Sequence, residues 1–190
     1  MSEFSYQSFK VLDSEMLNVI IRVAEPEDAA SVACFSRKTF YENYSEHNSQ
    51  KDIKNFFANE FSVASLMSEV GRRQNVVLMA YSLYTLVGYA VLKETPNPPE
   101  IKSAIKSIEV SRIYVDDPFK RKGVGNALIK ECINYARSKN RENLWLSVWH
   151  ENAGAIDFFS KWGFSIIGSK IFLLGDNPHI NWVMKKDLLK

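Results

Sequence analysis

Residues 107–129, SIEVSRIYVDDPFKRKGVGNALI, predict an apolar strand that leads into the turn KRKGVG and then into a helix. Gly123 and Gly125 have no Cβ, so the backbone can turn tightly and bring its N–H groups close to an anion. The helix adds the free N–H donors of its first turn and the positive end of its dipole. Residues 120–122 place three cationic side chains on the same turn. This order of elements predicts a site for a diphosphate group.

Two well-known phosphate-binding motifs do not fit this turn. A P-loop needs a Gly-Lys-[Ser/Thr] sequence, and none follows the second glycine. The dinucleotide-binding fingerprint needs a third glycine and a strand nearer the start of the chain. The turn by itself therefore leaves open an ordinary strand–turn–helix with solvated lysines.

Composition restricts the class of protein. The chain has 190 residues, of which 46% are hydrophobic and 13% aromatic, which predicts a folded chain with one core. A formal charge of +2 is too small for a general nucleic-acid-binding protein. No apolar run approaches the roughly 20 residues that cross a membrane. Cys34 and Cys132 lack a CxxC context, so we expect both to be reduced packing residues. We also expect a cytoplasmic protein without a membrane partner.

The hydrophobic pattern predicts a mixed α/β (α+β) architecture. Residues 1–18 are expected to be an N-terminal extension and residues 19–190 a single domain, with Pro96, Pro98 and Pro99 in an exposed loop. A helical region is expected to end near Gly71. Strands are predicted at residues 18–23, 76–83, 87–92, 108–115, 144–148, 164–173 and 182–184, and helices at 24–44, 50–73, 124–138 and 153–161.

A second segment, residues 145–164 (WLSVWHENAGAIDFFSKWGF), makes the diphosphate interpretation more specific. Together with residues 120–125 (KRKGVG) it resembles the GCN5-related N-acetyltransferase (GNAT) superfamily, whose acetyl-CoA loop is [QR]-x-x-G-x-[GA]. The later signature of that superfamily, Asn-x-x-Ala-x-x-[FL]-Tyr-x-x-x-Gly-Phe, is met at Asn152, Ala155, Phe158, Gly163 and Phe164. Two positions depart from the pattern: Lys120 replaces glutamine or arginine, and Phe159 replaces tyrosine. Most of the chain from about residue 20 onward is similar to the bacterial PaiA-type polyamine N-acetyltransferases.

The resemblance implies a twisted, mostly antiparallel mixed sheet with helices on both faces and a parallel strand pair that splays apart around acetyl-CoA, the co-substrate. Backbone groups of Ile113 and Val115 would bind the pantetheine arm, and the Val115 N–H would stabilise the oxyanion. The residues that the resemblance implies for acetyl-CoA binding are Ile113, Tyr114, Val115, Lys120, Arg121, Lys122, Gly123, Val124, Gly125, Asn126, Asn152, Phe158, Phe159 and Lys161.

The transfer reaction needs a neutral amine, whereas a free alkylamine has a pKa near about 10.4. Glu109 lies where many members of the superfamily carry a glutamate that acts as general base through water, and His150 is the rival base. Each residue could also have no catalytic role. Glu109 would then be an exposed glutamate on a strand, and His150 a histidine that only packs against its neighbours. Phe159 has no proton to give to the departing CoA thiolate, so a slow enzyme, or one that uses water or a nearby tyrosine, stays open.

The acceptor is expected to be a primary amine, in particular a polyamine such as spermidine or spermine, attacked directly in a ternary complex. Phe40, Tyr41 and Tyr44 would offer it aromatic faces, although Phe40 also fits a core stripe. The alternatives are an acetyl-CoA-binding regulatory module with weak catalysis and a protein N-terminal or lysine acetyltransferase. If residues 120–122 were instead a nucleic-acid-binding patch, the affinity for DNA would depend steeply on salt concentration.

Two further expectations concern partners. His47 and His179 lack metal-ligand spacing to any other residue, which predicts that no metal is bound. Edge strands near the C-terminus could pair two copies of the chain, so a homodimer is an open alternative.

Overall fold

The computed structural model describes residues 17–46, 48–70, 72–175 and 177–188. Its strands are β1 (Val19–Val23), β2 (Asn75–Ser82), β3 (Thr85–Lys93), β4 (Ser107–Val115), β5 (Asn143–Trp149), β6 (Ser165–Leu174) and β7 (Asn177–Asp187). Its helices are α1 (Ala29–Tyr44), α2 (Gln50–Glu60), α3 (Val63–Val70), α4 (Val124–Ser138) and α5 (Ala153–Lys161). Short 3₁₀ turns at Pro26–Asp28 and Asp117–Phe119 precede α1 and the turn before α4.

All seven strands lie in one sheet, in the order β1-β2-β3-β4-β5-β7-β6. Every neighbouring pair is antiparallel except β4 and β5, which are parallel. That parallel pairing runs only from Ser107 opposite Asn143 to Val110 opposite Leu146. Beyond Val110 the two strands separate, which confirms the predicted mixed sheet with a splayed parallel pair.

Helices cover both faces of the sheet. On one face α4 buries Val124, Leu128, Ile129 and Cys132 against the central strands, and Phe159 of α5 joins the same cluster. On the other face Val32 and Phe35 of α1 and Leu66 of α3 pack against Tyr89 and Val91 of β3. Successive side chains of a strand point to opposite faces, so β4 places Ile108 and Val110 in the α4 core and Glu109 on the opposite side.

Some predicted boundaries need correction. The helical region expected at residues 50–73 is broken at Phe61 and Ser62, because the Ser62 hydroxyl accepts the N–H of Ser65 (3.1 Å) and starts a new helix. The predicted end at Gly71 lies outside the described residues. The turn between β2 and β3 lies one residue earlier than expected. It contains Leu83, which adopts a left-handed φ of 54°. Strand β7 is far longer than residues 182–184, because β5 and β6 pair with it on its two sides.

Two predicted environments are also corrected. Cys132 is buried as expected, but Cys34 is exposed on α1, and both thiols are free. Pro98 is buried within a loop whose Pro96 and Pro99 are exposed.

Other organisational predictions stay predictions. Most of the expected N-terminal extension, residues 1–16, lies outside the described residues, so the division at residue 18 remains untested. Strand β6 forms one edge of the sheet and leaves Ile171 69% exposed and Leu173 62% exposed. Pairing of two copies at this edge likewise remains a prediction.

Candidate active site

The turn before α4 has the backbone shape of an anion-binding site. Arg121 and Gly123 have positive φ values of 60° and 90°, and Gly123 is the residue that caps α4. The first hydrogen bond of the helix runs from the N–H of Ala127 to the carbonyl of Gly123 (3.0 Å). The N–H groups of residues 124–126 therefore precede the intrahelical ladder and point out of its positive end. Arg121 and Gly123, two left-handed residues separated by one residue, precede the N-terminus of α4. This backbone forms a concave array of N–H donors, which fits a diphosphate.

The three cations of this turn have different surroundings. Lys120 Nζ lies 2.5 Å from Asp117 Oδ1, and the Lys122 ammonium lies 5.8 Å from the centre of the Phe119 ring. Arg121 is exposed. All three stay at the rim of the turn, where they can add positive charge beside the N–H donors.

Several other predicted cofactor residues lie close to this turn. A Cβ built on Gly125 would touch the Phe158 ring at 3.5 Å, so α5 packs tightly against the start of α4. Asn126 Oδ1 accepts the indole N–H of Trp162 (3.0 Å). Asn152 caps α5, because its Oδ1 accepts the N–H of Ala155 (3.0 Å), and Lys161 is exposed at the other end of that helix.

The gap between β4 and β5 exposes main-chain groups of β4. Asp116 donates its N–H to the Val87 carbonyl (3.0 Å), and the Tyr114 carbonyl lies against Gly88 of the same neighbouring strand. Main-chain groups alternate in direction along a strand, so those of Ile113 and Val115 face the gap. This is the placement that the resemblance implies for binding an extended arm as an added strand.

A cavity of about 620 Å³ opens over the gap on the face opposite α4. Strands β3, β4, β5 and β7 form its floor, α1 and α2 its walls, and β6 one side. The structure brings together here four residues predicted from sequence: Phe40, Tyr44, Glu109 and Tyr114. Sequence reasoning missed further lining residues, among them Asp52, Glu60, Lys93, Arg112, Trp149, His179 and Asn181.

The two candidate bases occupy different places. Glu109 lies on the cavity floor, where it accepts the hydroxyl of Thr95 at 2.9 Å. The His150 ring lies outside the cavity lining and contacts the edges of Trp149 and Trp182, with ring centres 6.5 and 6.4 Å away. Of the two candidates, Glu109 lines the cavity and His150 does not.

The predicted aromatic residues divide into packing and lining groups. Phe40 is 3% exposed and stacks on Tyr44 and Phe56, with centroids 4.4 and 4.5 Å away, so packing is its main role. Tyr44 reaches the rim of the cavity, 6.1 Å from Trp149, and burial raises its pKa above the ordinary value. Tyr41 is 48% exposed and does not line the cavity. Burial also raises the pKa of Tyr114 well above its ordinary value.

Phe159 occupies the position where the resemblance leads one to expect tyrosine. Its ring is 4% exposed and packs against Phe158 and Phe164, with centroids 5.2 and 5.6 Å away. The side chain therefore belongs to the α4 core, and it offers no proton.

The family is decided by the sequence model of the Acetyltransferase (GNAT) family, which matches residues 30–164 of this chain. The chain belongs to the GNAT family. It is an N-acetyltransferase whose acetyl donor is acetyl-CoA, and the matched residues contain both the glycine turn and the later signature.

Relatives of this acetyltransferase agree with that assignment. A Lactobacillus delbrueckii subsp. lactis protein described as an uncharacterized N-acetyltransferase is 25% identical over 170 residues, which is 90% of this chain and 97% of that protein. A spermidine N(1)-acetyltransferase of Thermoplasma acidophilum is 23% identical over 154 residues, covering 79% and 90% of the two chains.

Solved structures share the fold. The crystal structure of the PaiA N-acetyltransferase from Thermoplasma acidophilum in complex with coenzyme A matches with a TM-score of 0.69. Its sequence identity is 21%, and the match covers 89% of this chain and 98% of that chain.

A charged cluster lies behind one wall of the acetyltransferase cavity. Glu69 of α3 accepts two hydrogen bonds from the Arg112 guanidinium (2.7 and 3.2 Å), and Lys93 Nζ lies 2.6 Å from its Oε1. Burial alone would raise the pKa of the Glu69 carboxyl, but the charges and hydrogen bonds of Arg112 and Lys93 outweigh burial and lower it. Sequence gave no signal for this cluster, because its members belong to three separate elements.

This cluster predicts how stability depends on pH. A carboxyl whose pKa is lowered by folding stabilises the protein above its unfolded pKa, and that stabilisation is lost as pH falls through the folded value. We therefore expect Glu69→Gln to lower the free energy of unfolding by about 3 kcal/mol at pH 7 and by less near about pH 4. Urea unfolding of both proteins at the two pH values measures the difference. An equal difference at both values would contradict it.

Two features are absent from the described part of the chain. No helix there is both long and apolar enough to cross a membrane. Nor do those residues contain a group of three or more His, Cys, Asp or Glu side chains placed to hold a metal ion. His47 lies outside them.

Proposed function

We propose that this acetyltransferase transfers the acetyl group to a primary amine of a polyamine such as spermidine or spermine. The observation that supports this most directly is the lining of the cavity over the strand gap. Asp52, Glu60 and Glu109 contribute carboxylates to it, and Tyr44 and Trp149 contribute aromatic faces. Carboxylates and aromatic rings are the groups that bind alkylammonium ions. The Thermoplasma acidophilum relative named for spermidine adds support.

In the proposed reaction the acceptor amine and the thioester meet at the gap between β4 and β5. The Val115 N–H would donate to the thioester oxygen and stabilise its negative charge. Glu109 would take the ammonium proton through a water molecule, since only the neutral amine has a lone pair for attack. The new bond is C–N and the broken bond is C–S. The nitrogen loses its second proton to solvent as the tetrahedral intermediate breaks down, and the products are the acetamide and CoA.

The departing sulfur needs little help. A thiol has a pKa near about 8.5, so much less proton donation is required than for an alkoxide leaving group. With Phe159 buried in the core, we infer that the thiolate leaves unprotonated or takes a proton from water.

We also infer a cytoplasmic location. Cys34 and Cys132 are free thiols, the state usual in a reducing compartment.

The proposed function is tested by a CoA-release assay with spermidine, spermine, free amino acids and a lysine-containing peptide side by side. We expect the polyamines to give the highest kcat/KM, with a rate that rises with pH as the amine loses its proton. A preference for the peptide would favour the alternative of protein acetylation. Tight acetyl-CoA binding without turnover of any acceptor would favour a regulatory module.

Phe159→Tyr separates the enzyme from that module. We expect its kcat to change by less than about tenfold, because the new hydroxyl would lie in the α4 core and general-acid help adds little for a thiolate. Steady-state kinetics with spermidine measure the effect, and Phe164→Tyr, another buried phenylalanine of the same cluster, is the matched control. A gain of about 10²-fold specific to position 159 would instead support a module that has lost its acid.

A further inference from the structure

Positive charge in the cavity wall is concentrated at two residues. Among the described residues that line the cavity, Lys93 and Arg112 are the ones with a permanent positive charge. Left unbalanced, these two charges would repel an alkylammonium ion that approached Glu109. The wall of a cavity for cationic amines therefore needs a way to compensate them.

Glu69 provides that compensation from behind the wall. Its side chain is 8% exposed and does not line the cavity, yet both cations bond to the same carboxylate. The fork of two hydrogen bonds fixes the Arg112 guanidinium, which also lies 5.3 Å from the centre of the Phe61 ring. The contact with Oε1 likewise draws the Lys93 ammonium toward α3.

We propose that Glu69 is a specificity-determining residue, which sets the preference of the cavity for multiply charged amines by neutralising Lys93 and Arg112. With Glu69, four carboxylates and two cations surround the acceptor position; without it, the excess of negative charge falls to a single unit. This inference rests on the proposed function and deepens it. It assigns Glu69 a positioning and electrostatic role through other residues, and no contact with the acceptor.

A merely structural role for Glu69 predicts something different. An ion pair that only anchors α3 would, when broken, weaken binding of all acceptors alike. An electrostatic role makes the loss grow with the charge of the ligand, because each added ammonium group feels the same uncompensated field.

The experiment measures spermidine and hexylamine binding by isothermal titration calorimetry in the presence of CoA, at low and at physiological salt. We expect Glu69→Gln to weaken spermidine binding by about tenfold and hexylamine binding by about twofold. Lys93→Met, which removes one cation and leaves the Glu69–Arg112 pair intact, should tighten spermidine binding by about threefold. The double variant Glu69→Gln/Lys93→Met restores the wild-type charge balance and should return spermidine affinity to within about threefold of wild type.

Asp28→Asn is the matched control, because it breaks another double hydrogen bond between a carboxylate and an arginine, Arg22, at a distance from the cavity. It should leave both affinities unchanged. If Glu69→Gln does not fold, Lys93→Met alone decides, since the inference requires its shift to be opposite in sign. Equal shifts for the two amines, or weaker spermidine binding by Lys93→Met, would overturn the inference.

These outcomes are separable from the proposed function. Wild-type protein that binds spermidine with this charge dependence but releases no CoA would contradict the function and support the role of Glu69. Normal turnover without charge dependence would contradict the role of Glu69 alone. Wild-type protein that does not bind spermidine would overturn both.

Discussion

Replacing Glu109 by glutamine is expected to lower kcat for amine acetylation by about 10²–10⁴-fold, the usual contribution of a general base. Glutamine keeps the size and the acceptor oxygen for the Thr95 hydroxyl but cannot take a proton. Acetyl-CoA affinity should stay the same, because the turn before α4, at residues 120–125, lies on the other face of the sheet. Single-turnover acetylation of spermidine and calorimetric titration with CoA measure the two quantities separately.

Glu60→Gln is the control for charge in the same cavity. Glu60 is exposed at the end of α2, so its loss should raise KM for a polyamine and leave kcat within about twofold, the pattern of a group that binds ground state and transition state equally. If Glu109→Gln keeps kcat within about twofold, Glu109 is not the base. His150→Gln would then be the variant to examine, although its ring lies outside the cavity lining.

The second large effect is expected at Gly123. Gly123→Ala places a Cβ on a residue with a φ of 90°, which should lower the free energy of unfolding by about 1–2 kcal/mol. If the turn changes its conformation to relieve this strain, its N–H groups no longer point toward the position proposed for the diphosphate. We therefore expect the Kd for acetyl-CoA to rise by about tenfold or more, since several donors act on one diphosphate. Urea unfolding and calorimetric titration with acetyl-CoA report the two changes.

Gly154→Ala is the matched control for this substitution. Gly154 lies in the first turn of α5, where an added Cβ would meet only the Asn152 side chain, at 4.0 Å. Alanine is favourable in a helix, so this variant should be at least as stable as wild type and bind acetyl-CoA normally. A Gly123→Ala protein that loses stability but keeps its affinity for acetyl-CoA would show that the turn does not hold the diphosphate.

Local signals in the sequence were enough to predict most elements of the fold. Helices α4 and α5 begin and end at the predicted residues, because each has a regular apolar stripe and a distinct cap, Gly123 and Asn152. The break at Phe61 was missed because one serine hydroxyl, which caps the start of α3, divides an otherwise continuous helical pattern. The length of β7 was missed because its polar residues owe their extended conformation to pairing with β5 and β6.

The candidate site shows the same division. The turn before α4 could be predicted as a candidate anion site because its donors are main-chain groups within a few consecutive residues. The lining of the acceptor cavity could not, because it is assembled from strands and helices far apart in the chain. His179 and not His150 lines the cavity, because successive side chains of a strand point to opposite faces. His179 points the same way as Asn181 on β7, whereas His150 directly follows Trp149, which faces the cavity at the end of β5.

The order of residues along the chain was enough to indicate the resemblance to the GNAT family and, through that resemblance, the acetyl donor. The shape of the turn before α4 could also be expected, because glycine conformation and helix ends depend mainly on neighbouring residues. Which charges line the cavity depends instead on the packing of elements far apart in the chain. Glu69 and Arg112 are 43 residues apart, and their pairing depends on the packing of α3 against the sheet. Charge compensation depends on distances of a few ångströms between side chains, and folding alone sets those distances.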